Sequence, residues 1–222
     1  MLILLIEGMA SFPCAKGRAD MATTSGEVQV VTPADWVPGP GQGDWTYGQF
    51  VDLPGDGMRY EIANGVLLLA PSSTGAHQYT VGEVYFHLRS HVKLPGLGVV
   101  IRTPFVVELT SKDVFQPDVF VVMNAHSDRV QEKKVIGAPD LVVEVASPGT
   151  VAFDRLTKYD TYEDTGVTEY WFINLDRHTV EVFVLEDGIY HSLGVFQGEQ
   201  KVPSRLISWL SVRVEQFFLL RE

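Results

Sequence analysis

The chain has 222 residues, 45% apolar and 20% charged, a balance that excludes a disordered polyelectrolyte and allows one core large enough to desolvate a site. A formal net charge of −11 argues against indiscriminate nucleic-acid binding, since phosphate contacts come from Lys and Arg, but leaves room for a local basic patch or a metal ion. The single cysteine, Cys14, excludes an intrachain disulfide and a Cys-based zinc site, as expected of a cytoplasmic protein.

The opening MLILLIEG is a short apolar run ended by Glu7, with no basic residue before it; it lacks the length of a membrane span, and so does every other segment. Met9 and Met21 are alternative starts, and residues 1 to about 40 are expected to be weakly ordered. VPGPGQG, residues 37–43, reads as a Pro/Gly linker. The chain thus divides into an extension and linker, 1–43, and a folded domain, 44–222. Thr46 to Leu53 fits a short helix, with Thr46 as N-cap and Gln49 at the capping-box position.

RYEIANGVLLLAP, 59–71, is a hairpin with Asn64-Gly65 as a type I′ turn. Val81, Val84, Tyr85, Leu88 and Val92 recur at helical spacing and predict a helix over 76–92. VVIRTPFVVEL (99–109), PDVFVVM (117–123) and DLVVEVA (140–146) are rich in strand formers. A second helix follows over 151–164, closed by Gly166. EYWFINL (169–175), TVEVFVL (179–185) and IYHSL (189–193) read as a meander with turns at 176–178 and 187–188. LISWLSVRVEQFF, 206–218, closes the core as a strand or a short helix. The order implies an α/β (α+β) domain with a central mixed sheet flanked by helices, an N-terminal hairpin and a C-terminal meander.

Three charges stand where charge is unexpected. Asp118 opens a strand after Pro117, Glu144 interrupts an otherwise apolar strand, and Lys158 lies on the following helix. A carboxylate in such a strand needs a partner. If the two strands are neighbours, Asp118 and Glu144 converge at one end of the sheet, where a divalent cation relieves their repulsion. Mg²⁺ suits such a site because it takes few carboxylates, keeping water and substrate phosphate as its other ligands. The bland alternatives are an ion pair of Glu144 with Lys158 or Arg155, and an i,i+4 pair of Asp154 with Lys158. Asp140 also follows a proline, but it lies four residues, about 13 Å, from Glu144 along the strand and cannot share a small ion with it.

Proline-aspartate, a strand-borne glutamate and a lysine form the pattern of PD-(D/E)XK nucleases, whose α-β-β-β-α-β core matches the order above. RYEIANGVLL, QPDVFVV, GAPDLVVEVASPGT with DRLTKYDTYEDTGVTEYWFIN, and the histidine of STGAHQYTVGEV together resemble the Uma2 family of restriction-endonuclease-like proteins over about residues 46–215. One slot departs from the superfamily pattern: Ala146 stands two residues after Glu144, and the resemblance moves the lysine role to Lys158. The resemblance implies a Mg²⁺-dependent DNA endonuclease (Mn²⁺ as an alternative ion). Asp118, Glu144 and the Val145 carbonyl would hold the metal, with Lys158 beside the reacting phosphate and His77 contacting phosphate or a nearby water. It also implies a homodimer for cutting both strands. The other class of function is a non-catalytic nucleic-acid or protein interaction domain on the same fold; RNA or a nucleotide is an alternative substrate.

Other charged residues read as structural. Glu61 matches the family hairpin, and Glu83 reads as solvated. Arg129, Lys133 and Lys134 form the best local basic patch, in an expected loop between the two key strands. Tyr170, Trp171 and Phe172 read as strand core rather than base-stacking residues, and His178 and His191 show no metal spacing.

Overall fold

A computed structural model describes residues 30–218. In chain order its first elements are β1 (Thr32–Pro33), α1 (Tyr47–Phe50), β2 (Arg59–Ala63), β3 (Val66–Ala70) and α2 (Gly75–Leu88). Strands β4 (Gly98–Arg102), β5 (Val106–Thr110), β6 (Asp113–Phe115), β7 (Val119–Met123), β8 (Lys134–Ile136) and β9 (Leu141–Ala146) follow. The chain then forms α3 (Val151–Phe153), a π-helical turn (Asp154–Lys158), α4 (Tyr159–Thr165), β10 (Glu169–Asn174), β11 (Thr179–Glu186) and β12 (Ile189–Gln197).

Local chemistry accounts for the boundaries. Asn64 and Gly65 both have positive φ, 50° and 74°, as the predicted I′ turn requires. Gly65 is doubly constrained, because a Cβ there would stand 2.3 Å from the Gly43 carbonyl oxygen. At α1 the Thr46 amide donates to Gln49 Oε1 at 3.0 Å, which is half of the expected capping box. Helix α2 buries Val81, Val84 and Leu88 and continues as a π-helical turn, Arg89–Lys93, that buries Val92. Gly166 closes α4 with φ 88°, a left-handed cap that costs glycine least.

The strands form two six-stranded mixed sheets rather than one central sheet, in the orders β1-β3-β2-β6-β5-β8 and β12-β11-β10-β9-β7-β4. The expected single strand 99–109 is two strands: β4 belongs to the second sheet and β5 to the first, with Thr103-Pro104 at the crossing. The chain crosses back between β6 and β7, and Asp118 stands at that junction. In the second sheet β9 runs parallel to β10 and antiparallel to β7, so the two key strands are neighbours, as expected. Odd residues of β9 (Leu141, Val143, Val145) pack with α2, whereas Val142 and Ala146 pack with Phe115 and Tyr162 on the other face. Strand alternation therefore aims Glu144 at the side of the first sheet and α4.

The tail closes the core with a 3₁₀ turn, Val214–Phe217, that buries Val214 and Phe217. Residues 30–43 join the fold: β1 edges the first sheet, and Ala34 is buried in one cluster with Trp45, Ile62 and Leu67. The expectations of weak order and of alternative starts at Met9 and Met21 fall on residues 1–29, outside the described residues. Among the described residues no helix is long and apolar enough to cross a membrane.

Candidate active site

Where the two sheets meet, a narrow cleft is lined by Arg59, Glu61, His77, Asp118, Glu144 and Lys158, with Asp154 at its side. All four predicted side chains, Asp118, Glu144, Lys158 and His77, therefore reach one place. Each is buried, with exposures of 2%, 1%, 2% and 7%.

Lys158 is the hub. Its Nζ donates to Glu144 Oε1 at 2.9 Å and Glu61 Oε1 at 3.2 Å, and lies 3.6 Å from Asp154 Oδ1. Burial opposes its charge, but Glu144, Glu61 and Asp154 together hold it protonated above the ordinary lysine range. The Tyr162 hydroxyl, one turn further along the same face, also donates to Glu144 Oε1, at 2.7 Å. The partner of Glu144 on the protein side is thus Lys158, helped by Tyr162; Arg155 turns away to Glu181. Glu144 Oε2 has no hydrogen-bond partner among the described residues.

Asp118 is held from three sides. Oδ1 accepts from Arg59 at 3.2 Å, and Oδ2 accepts from the Val145 amide at 2.9 Å and faces His77 Nε2 at 3.1 Å. Burial opposes its ionisation, but Arg59 and then His77 and Lys158 outweigh that and keep the carboxyl well below the usual carboxylate range. An ionised Asp118 fixes the imidazole tautomer: Nε2 carries the hydrogen and donates. His77 Nδ1 and Arg59 Nε are buried without partners.

The balance of charge decides what the cleft can accept. Glu61, Asp118, Glu144 and Asp154 face Arg59 and Lys158 as the permanent cations. Burial, against the pull of Lys158, pushes the Glu144 carboxyl up to about 8, with Asp118, Asp154 and Glu61 adding to the shift. Asp154 is likewise raised by burial, to about 6, against Lys158 and Thr150. The surplus negative charge is relieved by protons, and a divalent cation can take their place. Among the described residues no three His, Cys, Asp or Glu side chains form a ready metal cage. The donor set still suits Mg²⁺, which needs only one or two carboxylates: Glu144 Oε2 is free and Asp118 is ionised beside it. The Val145 carbonyl fits as well. Ala146 gives its carbonyl to Leu175 on the β10 side, and alternation turns the Val145 peptide groups toward Asp118.

Four residues of the cluster went unread as site residues in the sequence. Glu61, expected to be structural, bridges the Gln116 amide and Lys158. Arg59 ties Glu61, Asp118 and the Gln116 carbonyl together. Asp154 and Tyr162 carry a signal in their spacing, four residues either side of Lys158. The expected basic loop is not a free patch: Lys134 lies in β8, paired with Glu108 and set over the Tyr47 ring, and Arg129 donates to the Ala138 carbonyl. Asp140, just before β9, accepts from the Met123 amide and pairs with His126, both at 2.7 Å.

A family model described as "Uma2: Putative restriction endonuclease" matches residues 47–215, which takes in every charged residue of the cleft. The chain belongs to the Uma2 family. The Uma2 chain also resembles a solved structure described as a putative nuclease belonging to DUF820, from Anabaena variabilis. That match has a TM-score of 0.66 and 21% identity, over 78% of this chain and 97% of the other. It shows that the two share a fold. No curated protein matches.

Proposed function

We propose that this Uma2 chain is a divalent-metal-dependent endonuclease that hydrolyses phosphodiester bonds of DNA in the cytoplasm. One observation carries the reading: an unpartnered Glu144 oxygen beside a buried, protonated Lys158, in a cleft with surplus negative charge. Asp118, Glu144 Oε2 and the Val145 carbonyl would hold Mg²⁺ or Mn²⁺. When bound, the cation polarises a phosphoryl oxygen and makes its coordinated water more acidic. Lys158 keeps its proton, so it acts as a fixed positive charge facing the negative charge that builds on the phosphoryl oxygens as water attacks phosphorus and the P–O bond breaks. Tyr162 and Glu61 hold that ammonium and Glu144 in register. His77 donates to Asp118 and sets the direction of its carboxylate.

The net charge of −11 favours a second reading, an interaction domain that keeps the fold without cutting. One experiment separates them: supercoiled plasmid with Mg²⁺, Mn²⁺ or EDTA, for wild type, Glu144→Ala and Lys158→Ala. Metal-dependent nicking lost in both variants supports the nuclease. A well-folded wild type that neither cuts nor binds metal leaves the interaction domain.

A further inference from the structure

Beside the cleft a second, open pocket is lined by Arg155, Tyr159, Tyr170, Phe172, Glu181 and Phe183. Register puts Phe172 directly opposite Glu144 on β9 and Glu181 on β11. Phe172, which lines the pocket, is therefore one strand spacing, about 4.8 Å backbone to backbone, from Glu144 of the cleft. The pocket's roof is the same π-helical turn that carries Lys158; such turns gather at functional sites.

Arg155 is the unusual member. Its guanidinium carbon lies 4.8 Å over the Phe172 ring, one Nη donates to Glu181, and the side chain keeps 42% exposure. Phe172 itself is 2% exposed, so it supports the guanidinium rather than meeting solvent. A cation backed by an aromatic ring and fixed by a carboxylate, with much of its side chain open to solvent, is held ready for a flat partner. Nucleobases of single strands stack on such guanidinium planes.

We propose that Arg155, laid on Phe172 and held by Glu181, is a stacking platform for an unpaired nucleobase of the substrate strand close to the scissile phosphate. This rests on the nuclease reading. Glu181 also offers an acceptor to an exocyclic amino group at the base edge, which makes the platform a site where base identity is sensed.

The test is a fluorescence titration with a short single-stranded oligodeoxynucleotide carrying 2-aminopurine, moved along the strand one position at a time. An abasic residue at each position serves as the comparison. The protein is the full chain with Glu144→Gln, in Mg²⁺, with and without Arg155→Lys. The lysine keeps a cation for Glu181 and removes the plane. Expected are quenching at one position and binding about tenfold weaker when that base is missing. The base-dependent tenfold should vanish with Arg155→Lys. A protein indifferent to the missing base at every position, or one whose discrimination survives Arg155→Lys, overturns the platform, as does a failure to bind the strand. Plasmid cleavage by wild type tests the nuclease separately, so cutting without base discrimination sinks the platform alone. A merely structural Arg155–Glu181 ion pair would change stability and leave the base-against-abasic ratio where it was.

Discussion

Replacing Glu144 by Gln should make the metal-free protein more stable at high pH. The side chain keeps its shape and its Oε1, which accepts from Lys158 and Tyr162, but it can no longer ionise. In the wild type, burial raises this carboxyl from 4.5 to about 8. The sign follows from proton counting: above pH 4.5 the unfolded chain has released the proton that the folded chain still holds. The stabilisation from Glu144 is therefore complete below pH 4.5 and is lost as pH rises through about 8. At about 1.4 kcal/mol per pH unit, the whole interval is worth on the order of 5 kcal/mol. Urea denaturation in EDTA at pH 6 to 9 reads the upper two units of it, about 3 kcal/mol. Wild type loses stability relative to Glu144→Gln at each step, and the two curves run parallel above pH 8 to 9. Asp154 titrates lower, near 6, so above pH 7 most of the difference comes from Glu144. A difference that stays flat over this range, or that favours wild type at pH 9, refutes the account of a proton trapped by crowded carboxylates.

Lys158→Met should be costly, because it leaves Glu144, Glu61 and Asp154 without their shared cation. Breaking a buried pair from one side costs about 3–5 kcal/mol, read as a lowered urea midpoint at pH 8, and the double variant with Glu144→Gln should recover part of it. Tyr162→Phe removes one hydrogen bond to Glu144 Oε1 and should cost about 1 kcal/mol; unchanged stability and unchanged Mn²⁺ affinity in calorimetry would show that Tyr162 does not hold the carboxylate.

What could be read ahead of the coordinates divides along physical lines. Asn64-Gly65 was legible because few residue pairs tolerate two positive φ values, and Glu144 because a lone acid in an apolar strand violates its surroundings. Both signals are local. The split into two sheets was not legible, since the 99–109 run is strand-forming on both sides of Thr103-Pro104 and nothing in its composition says that the halves pair with different neighbours. The place of Glu61 in the cleft was not legible for the same reason. In a hairpin an acid on one face normally meets solvent, and this one is 1% exposed only because the other sheet and the π-helical turn cover it. Lys134 was misread as a free cation because its partner, Glu108, sits 26 residues earlier on a strand that the sequence did not separate.

The Lys158–Glu61 contact joins positions 97 apart in sequence, from the π-helical turn to β2. Loops of that span close late, because entropy is spent before the contact returns anything. During synthesis Arg59, Glu61 and Asp118, which pair with one another, emerge well before Glu144 and Lys158, so the cluster is complete only once β9 and the π-helical turn have arrived. The charged centre therefore needs residues 59 to 158 in place together. A fragment that ends before Lys158 lacks the one cation shared by Glu61, Glu144 and Asp154.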